Sequence, residues 1–289
     1  MLETAFLTIE NREPFEIYDH LLYKPLAQRG WNVTEVPWTK PDVDWSQYDT
    51  ALIRSTWNYH LYPDRFLQVL ENITESGTKL INNIDIVNWN IDKRYLTKLE
   101  KKGVPVVPTR WFNHINKSHI INCFKLWDTD EVVMKPNISA NAKDTYRIKH
   151  SELHHFWDGL KPILEGRLYM IQPYVQSIET TGEYSLFFFN NTFSHAIRKV
   201  PESGDFRTQE EHGACISSYQ PKAKLIEAGY NTLGALPENP LYVRLDFVKM
   251  FGDELRLMEA ELIEPSLYFN VDERSPERFA DAFVKYLKC

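Results

Sequence analysis

The sequence predicts a protein of the α/β (α+β) class, in which a parallel-sheet part is followed by parts with antiparallel strands. Two observations support this class. The first 90 residues alternate short apolar runs with helical segments, a rhythm typical of a parallel sheet covered by helices. The last third instead has longer strands in neighbouring pairs, which favours an antiparallel sheet. With 289 residues, 43% of them hydrophobic, the chain is long enough for two domains.

Four strands and two helices are predicted in the first 90 residues. Apolar runs give the strands, and a glycine follows each helix. The strands are Ala5–Ile9, Asn32–Val36, Ala51–Ile53 and Lys79–Asn82, and the helices are Phe15–Arg29 and Asp64–Ser76. Ligands of parallel sheets bind beyond the carboxyl ends of the strands. Glu10 and the stretch 54–59 therefore lie at the expected ligand edge.

The pattern changes after residue 90. A helix that carries Asp92 and Lys93 is predicted to end at Gly103, and Pro105 and Pro108 bound a short strand. In the middle third we predict strands and helices in alternation. The strands are Glu131–Lys135 and Leu168–Val175, and the helices are Ser118–Trp127 and Glu152–Leu164.

The last third is predicted to hold four long strands and one final helix. Ser275 and Pro276 form an N-cap and first-turn pair for this helix. Its apolar side chains at Phe279, Phe283 and Leu287 share one face. The four strands are Tyr184–Asn190, Thr192–Val200, Tyr242–Met250 and Glu254–Glu264.

Composition excludes several classes of function. A net charge of −7 argues against a nucleic-acid-binding protein. We find no apolar run long enough to cross a bilayer and no basic leader at the start, so we expect a cytoplasmic protein without a membrane partner. The three cysteines are odd in number and far apart, which indicates neither a disulfide framework nor a zinc site.

Phosphate-binding glycine motifs are absent from the sequence. The chain has 11 glycines, and neither G-x-x-x-x-G-K-[ST] nor G-x-G-x-x-G occurs. A bound nucleotide would therefore have its phosphates held by side chains.

The last two strands predict a hairpin with acids on one face. Placing Gly252 and Asp253 at a two-residue turn pairs residues whose numbers sum to 505. Asp246 then lies opposite Glu259, and Glu261 lies on the same face opposite an arginine. The other face, which includes Phe247 and Met258, is apolar and should belong to the core. A slip of one residue would bury the acids, so the register is well specified.

Three carboxylates so close together suggest a metal site. Like charges about 5 Å apart repel unless a cation lies between them. Oxygen ligands at this spacing suit Mg²⁺, which binds one or two carboxylates together with substrate phosphates. The alternative is a solvated sheet face on which Arg244 neutralises Glu261. If Asp246 and Glu259 serve a metal, neutralising either should leave the melting temperature of the metal-free protein unchanged or raise it.

Eight motifs in order, from residue 90 onward, resemble the ATP-grasp superfamily on its glutathione-synthetase-like side. They are "NIDKRYL", "GVPVVPT", "VVMKPNISA", "MIQPYV", "GEYSLFFFNNTFSHAIRKV", "GDFRTQEEHGA", "YVRLDFV" and "LMEAELIEPS". "RSTWNYH" and "WNIDKRYL" further resemble the branch of small cyclo-ligases that contains D-cycloserine synthetase. The chain departs from many relatives in the loop 137–142, which is not glycine-rich, and in Glu261, where glutathione synthetases commonly have asparagine.

The resemblance implies an ATP-grasp fold that clamps ATP between two subdomains. It implies an N-terminal Rossmann-like, substrate-binding domain over residues 1–90. A central lid subdomain would span residues 91–178, and a C-terminal antiparallel-sheet subdomain that binds metal and nucleotide would span residues 179–289. The implied cofactors are ATP and Mg²⁺, with two ions expected and Mn²⁺ as a possible replacement. A homo-oligomer is left open.

The resemblance also implies roles for individual residues. Those assigned to ATP are Lys93, Lys135, Gln172, Tyr174, Val175 and Glu183. Arg198 and Arg207 would face the transferring phosphoryl group and the substrate, because the guanidinium fork suits both. Asp246, Glu259 and Glu261 match the metal ligands. The alternatives are an ordinary helix lysine at 93, a plain strand end at 172–175, a surface acid at 183 and a strand salt bridge at 198.

Substrate choice is expected to depend on residues near the ligand edge of the first sheet. The candidates are Glu10, Arg54, Ser55, Thr56, Trp57 and Tyr59. Arg54 could hold a carboxylate and Trp57 could form a wall of the pocket. An edge-strand salt bridge together with a core tryptophan is the alternative interpretation.

We consider three functions. The first is a ligase in which the carboxylate of an amino-acid-like small molecule attacks the γ-phosphate of ATP. An amine or similar nucleophile, in a cyclo-ligase from the same molecule, then displaces phosphate. The second is an ATP-grasp phosphotransferase, and the third is an inert nucleotide-binding module. The lysines and acids assigned to ATP and metal argue against the third.

Overall fold

The structure of the protein is a computed structural model that describes residues 1–164, 167–250 and 252–288, with the backbone alone at 161–163. Three sheets make up its framework, one parallel and two antiparallel, which confirms the predicted fold class. Among the helices of these residues, none combines the length and the apolar character needed to cross a membrane.

The N-terminal sheet is parallel, with strand order β2-β1-β3-β4. Its strands are β1 (Leu2–Thr8), β2 (Trp31–Pro37), β3 (Thr50–Ser55) and β4 (Lys79–Ile81), and its helices are α1 (Tyr23–Gln28) and α2 (Pro63–Glu75). The predicted helix over 15–29 is wrong in its first half, since a 3-10 turn at Asp19–Leu22 precedes α1. Phe15 packs on Trp57, and the Tyr18 hydroxyl donates to Glu210, so tertiary contacts hold this segment out of the helix.

Two short helices follow in place of one long one. They are α3 (Ile84–Asn90) and α4 (Tyr95–Lys101), and Asp92 and Lys93 lie in the turn between them. The Asp92 carboxylate accepts a hydrogen bond from Arg94 N (2.9 Å), and Lys93 N–H donates to Asn137 O (2.9 Å). The prediction of a helix through these residues is therefore wrong, because their polar groups bond outside a helical ladder.

The central sheet is antiparallel, with strand order β5-β8-β6-β7. Its strands are β5 (Arg110–Phe112), β6 (Glu131–Pro136), β7 (Tyr146–Lys149) and β8 (Tyr169–Pro173), and its helices are α5 (Lys117–Trp127) and α6 (Leu153–Leu164). The sequence did not predict β5 and β7, which are three or four residues long, too short to show an alternating pattern. The strand expected between Pro105 and Pro108 is a single bridge from Val106 to Leu257.

The C-terminal sheet is antiparallel, with strand order β11-β10-β9-β12-β13. Its strands are β9 (Glu183–Phe189), β10 (Thr192–Val200), β11 (Cys215–Ser218), β12 (Tyr242–Met250) and β13 (Glu254–Glu261), and its helices are α7 (Ser177–Thr181), α8 (Ala223–Ala235) and α9 (Ser275–Leu287). All of β9 is buried. Helix α9, capped by Arg274 rather than the predicted Ser275, packs Phe283 on Trp31 of the N-terminal sheet.

The β12–β13 hairpin has the predicted register at its acids but not at its turn. Met250 pairs with Glu254, so the loop holds three residues rather than two. A β-bulge then adds one residue on β13, which restores the pairing of Asp246 with Glu259. The extra residue is Met258, which leaves the core face and lines a cleft, so its predicted burial beside Phe247 is wrong.

Helix α8 offers a test of its packing on the C-terminal sheet. A Cβ on Gly229 would lie 2.6 Å from the ring of buried Phe188, whereas a Cβ on Gly234 would meet nothing within 4 Å. Gly229→Ala should therefore destabilise the protein by about 1–3 kcal/mol through overpacking. Gly234→Ala, the matched control in the same helix, should be neutral or stabilise it by up to about 1 kcal/mol. Urea unfolding measures both, and equal effects would contradict the packing described.

Candidate active site

One cleft lies between the central and C-terminal sheets and is bordered by the N-terminal part of the chain. Strands β6 and β8 form one wall, and β9, β10, β12 and β13 form the floor. The loop 139–142 and residues near Trp57 border the remaining sides. Side chains from the two antiparallel sheets therefore meet there with residues that follow the carboxyl ends of N-terminal strands, where ligands of parallel sheets bind.

The floor of the cleft centres on Asp246, which is almost completely buried. Its carboxylate accepts hydrogen bonds from the Arg244 guanidinium and from Lys199 Nζ, each at 3.1–3.2 Å. Although burial opposes ionisation, these two cations lower the pKa of Asp246 to about 2. Asp246 is therefore a fixed negative charge.

The two glutamates of β13 lie in different electrostatic surroundings. Glu259 pairs with Lys93 Nζ at 2.5 Å, and despite burial this ammonium lowers the pKa of Glu259. Glu261 pairs with Arg244, yet burial and the charges of Glu259 and Asp246 raise its pKa to about 7. Around Glu261, negative charges thus outweigh the positive charge of Arg244.

The donor set of this floor fits a magnesium ion. No three His, Cys, Asp or Glu side chains among residues 1–164, 167–250 and 252–288 are already arranged around a metal position. Instead, lysine and arginine side chains form ion pairs with the carboxylates of Asp246, Glu259 and Glu261. Carboxylate oxygens facing a cleft are nevertheless what Mg²⁺ prefers. Burial and the nearby acids raise the pKa of Glu261, so a further cation beside it would be electrostatically favourable.

Lys93 and Lys135 both project into the cleft. Lys93 Nζ also donates to Ser139 O (3.1 Å) and so holds the loop 139–142 over the cleft. Lys135 Nζ lies 3.9 Å from Met258 Sδ and forms no ion pair with any carboxylate in the described part of the chain. Burial, helped by Lys93, lowers the pKa of Lys135. An unpaired ammonium at this position suits an anionic ligand.

The stretch 172–175, which the resemblance assigns to ATP, lines the cleft. Gln172 is buried and donates to Thr109 Oγ1 at 3.0 Å. Tyr174 N–H is engaged with Glu131 O at 3.0 Å. Val175 N–H donates to no acceptor within the described residues. Of the two backbone N–H groups that could donate to the adenine of ATP, that of Tyr174 is therefore already bonded and that of Val175 is available.

The structure does not bring Arg198 into the cleft. Arg198 is exposed, and Lys199 points inward instead, paired with Glu183 and Asp246. A β-bulge at Ser194 in β10 causes the exchange, because it sets Lys199 rather than Arg198 opposite Glu183. Glu183 is accordingly a buried acid of the floor, and burial raises its pKa. Arg207 does line the cleft, half-exposed and paired with Asp205.

The predicted substrate residues separate into two groups. Trp57 and Tyr59 line the cleft. Arg54 is 1% exposed and pairs with Asp19 at 2.9 Å, so it forms a buried salt bridge behind the cleft rather than a ligand contact. Buried Ser55 and Thr56 and exposed Glu10 also lie outside the cleft.

Several cleft residues were missed by sequence reasoning. They come from the segment before α1, from the loop before β11 and from the segment after β13: Phe15, Glu16, Glu210, Glu211, Glu264 and Tyr268. Tertiary contacts bring these residues to the cleft, and the sequence predicts a helix for the segment before α1. For Glu264 the sequence predicts only a role in orienting the metal ligands or the loop at Pro265. Burial, then the charge of Glu261, raises the pKa of Glu264 to about 8.

Comparison with known proteins agrees with this architecture. Residues 4–82 match the family described as "D-cycloserine synthetase DcsG, N-terminal domain". The cycloserine biosynthesis protein DcsG of Streptomyces lavendulae is 31% identical over 268 residues, which cover 87% of each chain. The chain belongs to the D-cycloserine synthetase family. The predicted resemblance is thereby confirmed.

Solved structures support the same assignment. The crystal structure of D-cycloserine synthetase DcsG superposes with a TM-score of 0.88 at 27% identity, covering 99% of both chains. The D-alanine–D-alanine ligase of Bacillus anthracis superposes with a TM-score of 0.68 at 13% identity, covering 99% of this chain and 97% of the ligase. This likeness, together with that to the ATP-grasp ligase PsnB (TM-score 0.66 at 15% identity, covering 98% of both chains), shows that the ATP-grasp fold is shared beyond the D-cycloserine synthetase family.

From the sequence, neutralising Asp246 is expected to leave the melting temperature unchanged or to raise it. Because the structure shows Asp246 in buried ion pairs, we expect the melting temperature to fall instead. Asp246→Asn leaves Lys199 paired with Glu183 alone and Arg244 paired with Glu261 alone, and it weakens the buried charged hydrogen bonds at residue 246. The metal-free variant should therefore lose roughly 1.5–3 kcal/mol of stability. Glu254→Gln, which removes an exposed ion pair with Arg256 on the same hairpin, should leave the melting temperature unchanged. An unaltered melting temperature in Asp246→Asn would refute the buried pairing.

Glu264 predicts a pH dependence of stability. Its folded-state pKa of about 8 lies above the unfolded value of about 4.3, so folding favours the protonated form. The resulting stabilisation is complete below about pH 4.3 and is lost as the pH rises through 8. Glu264→Gln should melt close to the wild type near pH 5 and roughly 5–10 °C above it near pH 9. A constant difference across this range would contradict the shift.

Proposed function

We propose that the protein is an ATP- and Mg²⁺-dependent ligase that activates the carboxylate of a small, amino-acid-like substrate as an acylphosphate. The cleft carries the proposal, because it sets the cations Lys93, Lys135 and Lys199 against the acids Asp246 and Glu259 in one partly enclosed space. Membership of the D-cycloserine synthetase family supports it. So does the absence of glycine phosphate loops, since side-chain cations can hold the phosphates instead.

The nucleotide would lie between the central and C-terminal sheets. Val175 N–H would donate a hydrogen bond to the adenine edge, and Gln172 and Tyr174 would shape the adenine pocket. Lys93 and Lys135 would contact the phosphates as compact point charges. Glu183 would act by holding Lys199 rather than by contacting the nucleotide, since their ion pair is buried.

Asp246, Glu259 and Glu261 would hold Mg²⁺ at the phosphates, with two ions expected and Mn²⁺ as a replacement. When bound, such ions neutralise the phosphate oxygens and align them for transfer. Lys199 takes over the role considered for Arg198, since its ammonium faces the cleft. Arg207, at the cleft edge, would contact the transferring phosphoryl group or the substrate carboxylate through its guanidinium fork.

The reaction would proceed in two balanced steps. A substrate carboxylate oxygen bonds to the γ-phosphorus of ATP, and the bond to ADP breaks. A nitrogen nucleophile then bonds to the carbonyl carbon, phosphate leaves, and the nitrogen gives up a proton. We propose that both groups belong to one molecule, because the relatives named above are a D-cycloserine synthetase and a cycloserine biosynthesis protein. An intramolecular attack requires no second substrate pocket.

The three parts of the chain would divide this work. We propose that residues 1–90 supply the substrate wall through Trp57 and Tyr59. Residues 91–178 would close over the phosphates with the loop 139–142, which already contacts Lys93. Residues 179–289 would hold the ions. Relative movement of the two ATP-binding parts would admit and release ligands.

Product analysis tests the reaction class. Small amino acids, dipeptides and D-cycloserine are screened with ATP and Mg²⁺ by thermal shift, because a ligand of the folded state raises its stability. Stabilising compounds are then assayed for ADP and phosphate. A ligase should release both in equal amounts, and a carboxylate labelled with ¹⁸O should pass one label to phosphate. ADP with a phosphorylated product and no free phosphate would show a phosphotransferase instead.

Lys135→Ala tests the nucleotide site. Charged hydrogen bonds contribute roughly 1.5–3 kcal/mol. Loss of this ammonium should therefore weaken ATP binding at least about tenfold in calorimetry. Lys98→Ala, an exposed lysine of α4, serves as the control and should bind ATP as the wild type does. Unchanged ATP affinity in a folded Lys135→Ala protein would remove Lys135 from the site.

A further inference from the structure

Among the acids in β13 and the residues just after it, Glu264 is the one for which the described residues provide no ion-pair partner. Glu254, Glu259 and Glu261 each pair with a lysine or arginine. The Glu264 carboxylate lines the cleft, and within the described residues no lysine, arginine or histidine pairs with it. An unpaired carboxylate in such a partly buried position is unfavourable, and a cationic group of a ligand would relieve the cost.

The backbone around Glu264 is held rigidly. Residues 263–267 belong to no helix or strand, yet each of their five carbonyl oxygens lies within 3.3 Å of a side-chain donor. The donors, in chain order of the carbonyls, are Tyr242, Trp57, Arg54, Arg244 and His195. The Trp57 indole N–H, at 2.8 Å, donates to the carbonyl of Glu264 itself. The carboxylate and the indole therefore keep a fixed relation, as a preorganised binding group requires.

A second polar group at this end of the cleft also lacks a partner. Tyr59 is 5% exposed, and its ring packs on Phe66 at 4.9 Å. Its hydroxyl makes no hydrogen bond to any atom of the described chain, although the residue lines the cleft. Burial, then the negative charges of Glu264, Glu259 and Glu261, raises the pKa of Tyr59 well above its usual value.

Aromatic rings complete the surroundings of Glu264. Trp57 forms an edge-to-face pair with Phe15, with ring centroids 5.1 Å apart, and both line the cleft. Aromatic faces attract ammonium groups, whose N–H donors also suit a carboxylate and a phenol oxygen. A divalent metal ion fits less well, because it needs about six oxygen ligands.

We propose that Glu264, Tyr59 and Trp57 form a subsite for the primary ammonium group of the substrate. This inference rests on the proposed function, since it assumes that the substrate enters the cleft beside the nucleotide. The ammonium group lies against Glu264, and the carboxylate to be activated extends toward Lys199 and the phosphates. The subsite thereby selects amino acids over hydroxy acids and fixes which end of the substrate meets ATP.

Binding measurements on the protein with Mg²⁺ and a non-hydrolysable ATP analogue test this subsite. The probes are both enantiomers of alanine and serine and D-cycloserine, each compared with an analogue that lacks the amino group: lactate, glycerate and isoxazolidin-3-one. At least one amino probe should raise the melting temperature, and its analogue should bind at least about tenfold more weakly. Equal binding within the pairs, or no binding by any amino probe, would overturn the proposal.

Three variants identify the group responsible. Glu264→Gln keeps the side-chain volume and removes the charge, so affinity for the amino probe should fall at least about tenfold. Tyr59→Phe removes one hydroxyl and should cause a smaller loss, which keeps the test valid if Glu264→Gln folds poorly. Glu75→Gln, the control, removes an exposed acid at the end of α2, outside the cleft, and should change affinity less than about twofold.

The nucleotide reports on the proposed function separately. Affinity for the ATP analogue should stay within about twofold of wild type in all three variants, because Glu264 and Tyr59 lie outside the phosphate-binding group. Loss of Mg²⁺ affinity in Glu264→Gln, with amino probes still bound, would make Glu264 a metal ligand and overturn the subsite. Failure of the wild type to bind the ATP analogue would refute the proposed function and the subsite with it.

Discussion

A buried chain of ion pairs across the C-terminal sheet organises the cleft. Its members alternate in charge and come from four strands: Glu183, Lys199, Asp246, Arg244 and Glu261. Burying five charges is costly, and well-packed apolar side chains would stabilise the sheet at least as well. The chain is therefore best explained by what it does in the cleft. The ion pairs fix the positions of the acids on the floor of the cleft. They also contain one more acid than cation, so negative charge remains at Glu261, near the lysines that project into the cleft.

Beyond the isolated backbone bridge from Val106 to Leu257, side chains rather than another strand cover the outer edge of that sheet. The Asn90 side chain bonds both Ala260 O and Leu262 N, and the Asn82 side chain bonds Leu241 N, Tyr242 O and Leu262 O. An exposed edge strand would otherwise present unpaired backbone groups. These amides join the end of the N-terminal sheet and helix α3 to the acid-bearing hairpin, so the N-terminal and C-terminal parts of the cleft keep one arrangement. The side-chain hydrogen bonds of segment 263–267 extend the same principle to Glu264.

Two β-bulges decide which side chains face the cleft. At Met258 the bulge cancels the effect of a three-residue turn, so the sequence-derived pairing of Asp246 with Glu259 is correct even though the assumed turn is wrong. At Ser194 nothing compensates, and Lys199 takes the inward position expected of Arg198. Strand side chains alternate with a period of two, so a single inserted residue exchanges the two faces. A bulge has no reliable signature in one sequence.

Sequence alone determined the class of fold, the four parallel strands, the acid hairpin and the family. Each of these depends on local periodicity or on motifs in a fixed order, which are properties of neighbouring residues. Tertiary structure decided the rest. Arg54 is a buried structural cation because Asp19 and the carbonyl of Pro265 meet it from distant parts of the chain. Glu264 gains its place in the cleft because residues far apart in sequence hold its backbone, and burial by such neighbours cannot be read from a local pattern.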